Sequence, residues 1–339
     1  MNFAATDLEA VRKQAAAPRC PGHPGPLVES YFAKLNSPDG ERALWLKLTA
    51  SRARKACETL AEAWAVAFQH GRPPRAVKRA WRLHEPDLRA AFRGSFQVGF
   101  GGCQLGQSTL SGALSEAAHA LSWELRFAPG PLDLPLFPLP TIFYGDALPT
   151  GKLVSQHPDL RFEGVYSVGS ERVEVNGWRG MLGHNWARRH TPHYAWLHCN
   201  QFREETRRPP LDCVLEAVSA PLLFGRRVGG VVLRFRGQSL TFGVLDWQRS
   251  AEARSPSSWS FCARREAATL RVEVQALEGE TAGLRYDNPS GGGVDCLNSK
   301  LASVRVVLER PHSDALCLVS DSGALEHGYV GAHPVRMLL

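Results

Sequence analysis

Apolar and polar residues alternate with a period of two through much of this chain. In "LSWELRF", Leu121, Trp123, Leu125 and Phe127 fall on one side and Ser122, Glu124 and Arg126 on the other, the pattern of a half-buried antiparallel strand. "LVESYFAKLNSPDGERALWLKLTA" predicts two strands around a turn built from Asn36, Pro38, Asp39 and Gly40, with Leu44, Leu46 and Leu48 on the uniformly apolar face of the second. "GVYSVGSERVEV" predicts a hairpin with Gly169 and Ser170 in its two-residue turn. Further on, "LDCVLEAVSAPLLFG", "GGVVLRFRGQSLTFGVLDW" and "SKLASVRVVLER" are short runs closed by Gly, Pro, Asn or Asp, the spacing of sandwiches and barrels. Helical expectations are few. "TDLEAVRKQAAA" precedes the breaker "PGHPGP", and "SRARKACETLAEA" has helical propensity ahead of the strand candidate "AWAVAF". The Pro-rich "PLDLPLFPLPTIFYGDALP" must cross the surface or a barrel mouth without regular pairing. Strands and helices do not alternate, which excludes a doubly wound α/β protein and leaves an all-β one.

The densest chemistry lies in "GWRGMLGHNWARRHTPHYAWLHCN" (Gly177 to Asn200), which holds four His and three Trp. Its last part alternates: Tyr194, Trp196, His198, Asn200 and Phe202 face one way, and Ala195, Leu197, Cys199 and Gln201 the other. A wide aromatic face tipped with His198 and Asn200 suits a cavity that holds an apolar ligand and orients it with a few hydrogen bonds. Just upstream, His184, Asn185 and Trp186 follow Gly180 and Gly183, where a bulge would re-aim side chains. These residues read equally as a site or as a structural corner plugged by Trp186. His184, His190, His193 and His198 lie across a loop and a strand with no Asp or Glu among them, so the spacing argues against a metal centre. No cofactor is expected.

Composition narrows the classes. The chain has 339 residues, a net charge of +7 and 22% charged residues without a like-charge run. Only seven of its forty basic residues are Lys, and the pairs Arg188/Arg189, Arg207/Arg208, Arg226/Arg227 and Arg264/Arg265 are scattered. That scatter speaks against nucleic-acid binding and keeps an Arg-rich scaffold only as a minor reading. The eight Cys form no CxxC pair and read as reduced, buried small residues. "GGCQLGQS" (Gly101 to Ser108) has P-loop spacing but places Gln107 where the phosphate-contacting Lys belongs, so a Gly-rich β-turn accounts for it. The N-terminus lacks the features of a signal peptide and no window approaches the roughly 20 apolar residues of a spanning helix. A cytoplasmic protein is expected, with weak membrane-surface association left open.

The segment around Gly180, Gly183, His184, Asn185 and Trp186 resembles the Gly-x-x-Gly-His-Asn-Trp stretch of the lipocalin-like proteins grouped with carotenoid hydratases (hydroxyneurosporene synthases), AttH-type proteins and, more remotely, tocopherol cyclases. "ESYFAKLNSPDGERALWLKLT" (Glu29 to Thr49) resembles their opening hairpin, and "LRYDNPSGGGVDCLNSKLAS" (Leu284 to Ser303) a C-terminal segment. Ala187 departs from the Gly that usually follows the Trp. The resemblance implies two tandem lipocalin-like antiparallel β-barrel or sandwich domains with few short helices: an extension over residues 1–24, a first domain over 25–176 and a second over 177–339. It also implies an apolar ligand between or within the domains, of isoprenoid, polyene or polyketide type, and acid-initiated hydration, cyclisation or isomerisation. That chemistry protonates an alkene to a tertiary carbocation, which needs an acid kept protonated in an apolar pocket and aromatic faces for the cation. The catalytic candidates are His184, Asp246 and Glu29. Asn185, Trp186, Tyr194, Trp196, His198, Asn200, Tyr31 and Trp247 are the ligand-binding ones. Asp246 reads equally as a turn residue at the end of its strand, and Glu29 as a solvent-facing edge residue. A non-catalytic carrier of the same ligand is the alternative function.

Overall fold

The computed structural model describes residues 5–54, 57–116, 119–144, 151–205, 210–221 and 227–339. Arg207, Arg208 and Arg226 fall outside the described residues. An N-terminal helix, α1 (Ala5–Ala16), precedes the first sheet, and a short one, α2 (Glu85–Ala91), sits inside it.

The first sheet contains β1 (Leu27–Asn36), β2 (Arg42–Arg52), β3 (Glu58–Gln69), β4 (Arg72–His84), β5 (Phe92–Gly94), β6 (Gln97–Phe100), β7 (Cys103–Leu105), β8 (Thr109–Glu116), β9 (His119–Pro129), β10 (Lys152–Val168) and β11 (Glu171–Ala187). The second contains β12 (Ala195–Cys199), β13 (Phe202–Glu204), β14 (Pro210–Leu211), β15 (Cys213–Pro221), β16 (Arg227–Phe235), β17 (Gln238–Phe242), β18 (Trp247–Ser255), β19 (Ser258–Arg265), β20 (Ala268–Gln275), β21 (Ala282–Asp287), β22 (Gly293–Arg310) and β23 (Ser313–Tyr329). Neighbours run β4-β3-β2-β1-β11-β10-β9-β8-β7-β6-β5 in the first and β17-β16-β15-β12-β23-β22-β20-β19-β18 in the second. Their pairings are antiparallel. Each sheet curls until its ends meet, β4 against β8 and β9, and β16 and β17 against β18 and β19. The molecule is therefore two tandem antiparallel β-barrels.

The turns follow their residues. Val168 pairs with Glu171 around Gly169 and Ser170, with Gly169 at φ +60°. In the P-loop lookalike, Gly101 and Gly102 turn β6 into β7 at φ +58° and +81°. A Cβ on Gly101 would lie 2.1 Å from the Trp81 ring, so both space and dihedral require Gly there. Where a helix is expected over "SRARKACETLAEA", Ser51 and Arg52 end β2 and Glu58 to Ala63 begin β3, while Lys55 and Ala56 lie outside the described residues. Ala61, Ala63, Ala65 and Ala67 enter the first barrel's core, and Trp64, Val66 and Phe68 on the other face pack against the second barrel. Two-sided burial overrides the helical preference of Ala and Glu.

Strand β11 carries the first sheet on to Ala187, so the crossing to the second barrel is made by residues 188–194. Over its described residues, 131–144, the Pro-rich segment joins the sheets only through an isolated bridge, Leu136 with Ser155, and lays Leu136 on Val214 and Val232 of the second barrel. The barrels meet by their outer faces. Ala43, Trp45, Trp64, Val66 and Phe68 pack on Leu284, Tyr286, Cys296 and Leu301, and Phe32 and Met181 on Trp196. Because β1 alternates, Glu29, Tyr31, Ala33 and Leu35 look into the first barrel while Ser30, Phe32, Lys34 and Asn36 look into this seam.

Candidate functional site

The structure sorts the sequence candidates into three places. The first is the mouth of the first barrel. His184 pairs across the sheet with Tyr31, and their rings stack at 4.2 Å. His184 Nε2 lies 2.8 Å from Glu29 Oε1 and Nδ1 lies 2.7 Å from the Ala15 carbonyl oxygen. A carbonyl only accepts, so Nδ1 carries hydrogen, and one further proton lies between the imidazole and the carboxyl. Glu29 also accepts from the backbone N–H groups of Arg19 (2.9 Å) and Cys20 (2.7 Å) and from the Tyr31 hydroxyl (3.3 Å). Glu29 and His184 are fully buried, so the edge-strand reading of Glu29 does not hold. Trp186 sits 4.7 Å from the His184 ring under the Arg19 guanidinium, and Asn185 is on the opposite face of the strand. The N-terminal segment closes this mouth, with Ala15, Ala16 and Cys20 inside the barrel core. A cavity of about 10 Å³, the size of one water, lies among Tyr31, Leu46, Leu48, Cys103, Leu105 and Trp123.

The second place is the seam between the barrels, which gathers Tyr194, Trp196, His198 and Asn200 from β12 and its flanks. These side chains face the other barrel, and Ala195, Leu197 and Cys199 face the core of their own. Residues that the sequence reading missed complete the cluster. Glu216 on β15 stands directly across from His198. It is fully buried; its Oε1 accepts from Ser155 Oγ at 2.6 Å and Trp196 Nε1 at 2.8 Å, and its Oε2 has no partner. Burial raises its pKa from the usual 4.5 to about 7, against the opposing pull of those two donors. Nε2 of His198 lies 3.0 Å from the Pro158 carbonyl oxygen, which fixes hydrogen on that nitrogen, and its Nδ1 has no partner. Burial and then the Lys34 ammonium hold His198 well below the normal imidazole range, so Nδ1 presents a lone pair. Asn200, two residues on, donates to the Gly180 carbonyl oxygen at 2.8 Å and accepts from Lys34 Nζ at 3.2 Å. Tyr194 donates to Cys296 Sγ at 3.2 Å and Glu326 Oε2 at 3.4 Å. Ion pairs brace both flanks: Arg179 with Asp159 at 2.9 Å and Lys300 with Glu326 at 2.8 Å.

The third place is the second barrel. Asp246 closes the turn before β18 by accepting from the Gly243 N–H at 2.7 Å, the turn role open to it from its sequence. Trp247 stacks on Phe261 at 4.5 Å in that barrel's core and donates to Glu252 at 3.1 Å. Neither joins the other two clusters. The four His of the Gly177 to Asn200 stretch do not converge either: His190 lies against Tyr286 and His193 against Tyr329. Among the described residues no group of three or more His, Cys, Asp or Glu is placed to hold a metal ion. Among them also no helix is long and apolar enough to cross a membrane.

No family model matches the chain. Two uncharacterised proteins from Mycobacterium tuberculosis, strains CDC 1551 and H37Rv, are each 26% identical over 317 residues, covering 90% of this chain and 88% of theirs. Among solved structures, a candidate AttH from Nitrosomonas europaea superposes with a TM-score of 0.54 at 13% identity, over 90% of this chain and 93% of that one. Kievitone hydratase from Nectria haematococca gives 0.50 at 9%, over 93% and 91%. CghA bound to Sch210972 gives 0.50 at 9%, over 91% and 90%. At such identities the likeness is one of fold, and it spans both barrels.

Proposed function

We propose that this protein adds water across, or isomerises, an alkene of a hydrophobic small molecule held in the seam between the barrels, with Glu216 as the proton donor. The observation that carries this reading is the pairing of an acid poised near neutrality with a neutral imidazole, each keeping one buried atom without a partner. A carboxyl with a pKa of about 7 is still substantially protonated at neutral pH, where an ordinary Glu is ionised. Transfer of the Glu216 proton to one alkene carbon leaves a carboxylate and a tertiary cation on the other. Water then joins the cation, and its surplus proton passes to His198 Nδ1 and back to Glu216, so that the enzyme ends as it began. For isomerisation, the carboxylate instead takes a proton from the neighbouring carbon. Trp196, 6.2 Å from His198 and edge-on to Phe32, supplies the aromatic surface beside the cation.

Glu29 and His184 have a different part in this reading. A carboxylate already accepting from two backbone N–H groups, a phenol and an imidazole has no free face for a substrate, so the pair serves as a latch for the N-terminal segment. The hydratase among the structural neighbours is consistent with hydration, and the isoprenoid-like substrate class comes from the sequence resemblance. The test is turnover of small trisubstituted alkenes followed by mass spectrometry. The parent chain should yield a product heavier by one water or an isomer of equal mass, and Glu216→Gln, which keeps the shape and both donors satisfied, should not. Molecules bound and returned unchanged by the parent would establish the carrier instead.

A further inference from the structure

The seam holds a cation that the proton-transfer reading leaves unused. Lys34 is fully buried on β1, and its Nζ donates to Asn36 Oδ1 at 3.0 Å and Asn200 Oδ1 at 3.2 Å. Both acceptors are neutral amide oxygens. An ammonium has three hydrogens, and these bonds use two. The neighbouring buried cations are arranged otherwise, with Arg179 against Asp159 and Lys300 against Glu326. Lys34 thus carries its charge into a seam beside two other positive groups without a carboxylate in its hydrogen-bonding shell, and burial, the largest cause, lowers its pKa to about 8. Such a group gains most from an anion that arrives with a ligand.

Its position places it in the proposed site. Asn200 follows His198 by two residues, and Glu216 is the cross-strand partner of His198, so the ammonium on Asn200 and the acid line the same seam. We infer that the ligand carries an acidic oxygen, a carboxylate or an ionised enol or phenol, that docks on Lys34 while its alkene faces Glu216. The inference rests on the proposed seam site but not on catalysis, because docking needs no turnover. The seam is closed, so a ligand enters as the barrels part along it.

Geranic acid joins a carboxylate to a distal trisubstituted alkene, and geraniol has the same skeleton without the charge. Tryptophan quenching or calorimetry on the full chain at pH 7 should show geranate binding at least tenfold more tightly than geraniol. The preference should vanish in Lys34→Met. It should also vanish in Lys34→Gln, which keeps a polar group toward Asn36 and Asn200 without the charge, so the result does not hang on one variant folding. Above pH 8 geranate affinity should decline in the parent as Lys34 loses its proton, while geraniol affinity stays level. Equal binding of the two probes, no binding of geranate, or a preference that survives in either folded variant would overturn the inference. Selective geranate binding without any hydrated or isomerised product would leave it standing while removing the catalytic reading.

Discussion

The molecule contains two buried Glu/His clusters, and their difference is informative. At the mouth of the first barrel, Glu29 and His184 are bonded to each other, and every further acceptor or donor meets the protein's own backbone or Tyr31. In the seam, Glu216 and His198 are cross-strand neighbours that do not bond to each other, and each keeps an unpartnered atom. A saturated polar network rigidifies the structure around it, whereas buried polar atoms without partners are expensive and persist where something else binds them. The same two residue types thus make a latch in one place and a proposed reaction centre in the other.

Four perturbations would break or sharpen that contrast. The largest effect should come from Glu216→Gln, lowering turnover by about 10²- to 10⁴-fold, the usual worth of a positioned acid, with the circular-dichroism spectrum unchanged. A turnover equal to the parent's would remove Glu216 from the chemistry. Next, Glu29→Ala strips the latch of its centre and leaves the N–H groups of Arg19 and Cys20 and the His184 imidazole unpaired in the interior. A loss of about 3–5 kcal/mol in urea denaturation is expected, as for one half of a buried pair, together with protease cleavage between residues 5 and 22. Stability at the parental level would mean that the N-terminal segment is held by other contacts.

The third perturbation is pH. Below about 4.5 Glu216 is protonated in both folded and unfolded chains and contributes nothing. Between 4.5 and about 7 the unfolded chain ionises while the folded one keeps its proton, so stability falls as pH rises and levels off above 7, by about 3 kcal/mol in all. Half-buried His190 and buried His198, pushed down by desolvation, act in the opposite direction on the acid side, but Glu216→Gln retains them. The stability of that variant relative to the parent should therefore increase by about 2–3 kcal/mol from pH 4.5 to 8 in paired denaturation curves; a constant gap would show an ordinary Glu. The smallest effect belongs to Asp246→Asn. The amide oxygen can still accept from the Gly243 N–H, so a change within about 0.5 kcal/mol and full turnover are expected. A large loss of turnover would put the reaction in the second barrel.

The barrel architecture was legible because strands with one wet and one dry face show a period of two, and because Gly, Pro, Asn and Asp mark their ends. The period failed where both faces are dry. In the Ala-rich β3, packed on a core and on a partner barrel, the first half reads as helical and only "AWAVAF" reads as a strand. It also could not reveal which sheet a strand joins, and the outward face of "YAWLHCN" belongs to a contact between barrels rather than to a cavity inside one. The seam did leave a trace. Glu216 in "CVLEAVSA", Lys34 in "SYFAKLN" and Lys300 in "LNSKLAS" are single charges inside apolar strands, and a lone buried charge is a stronger sign of function than a crowd of rings. His184, Glu29 and Asp246 came forward as groups able to supply a proton in the chemistry that the resemblance implies, and that signal does not show how many partners the folded chain supplies.

The pairing of β1 with β11 has a consequence during synthesis. The hydrogen bonds that residues 28 to 36 make to β11 must wait for residues 179 to 187, although those to β2 can form as soon as residues 42 to 52 are made, and α1 cannot dock on His184, 169 positions after Ala15, any sooner. At about 5–20 residues per second, roughly ten to thirty seconds separate the synthesis of α1 from that of its docking partner on β11.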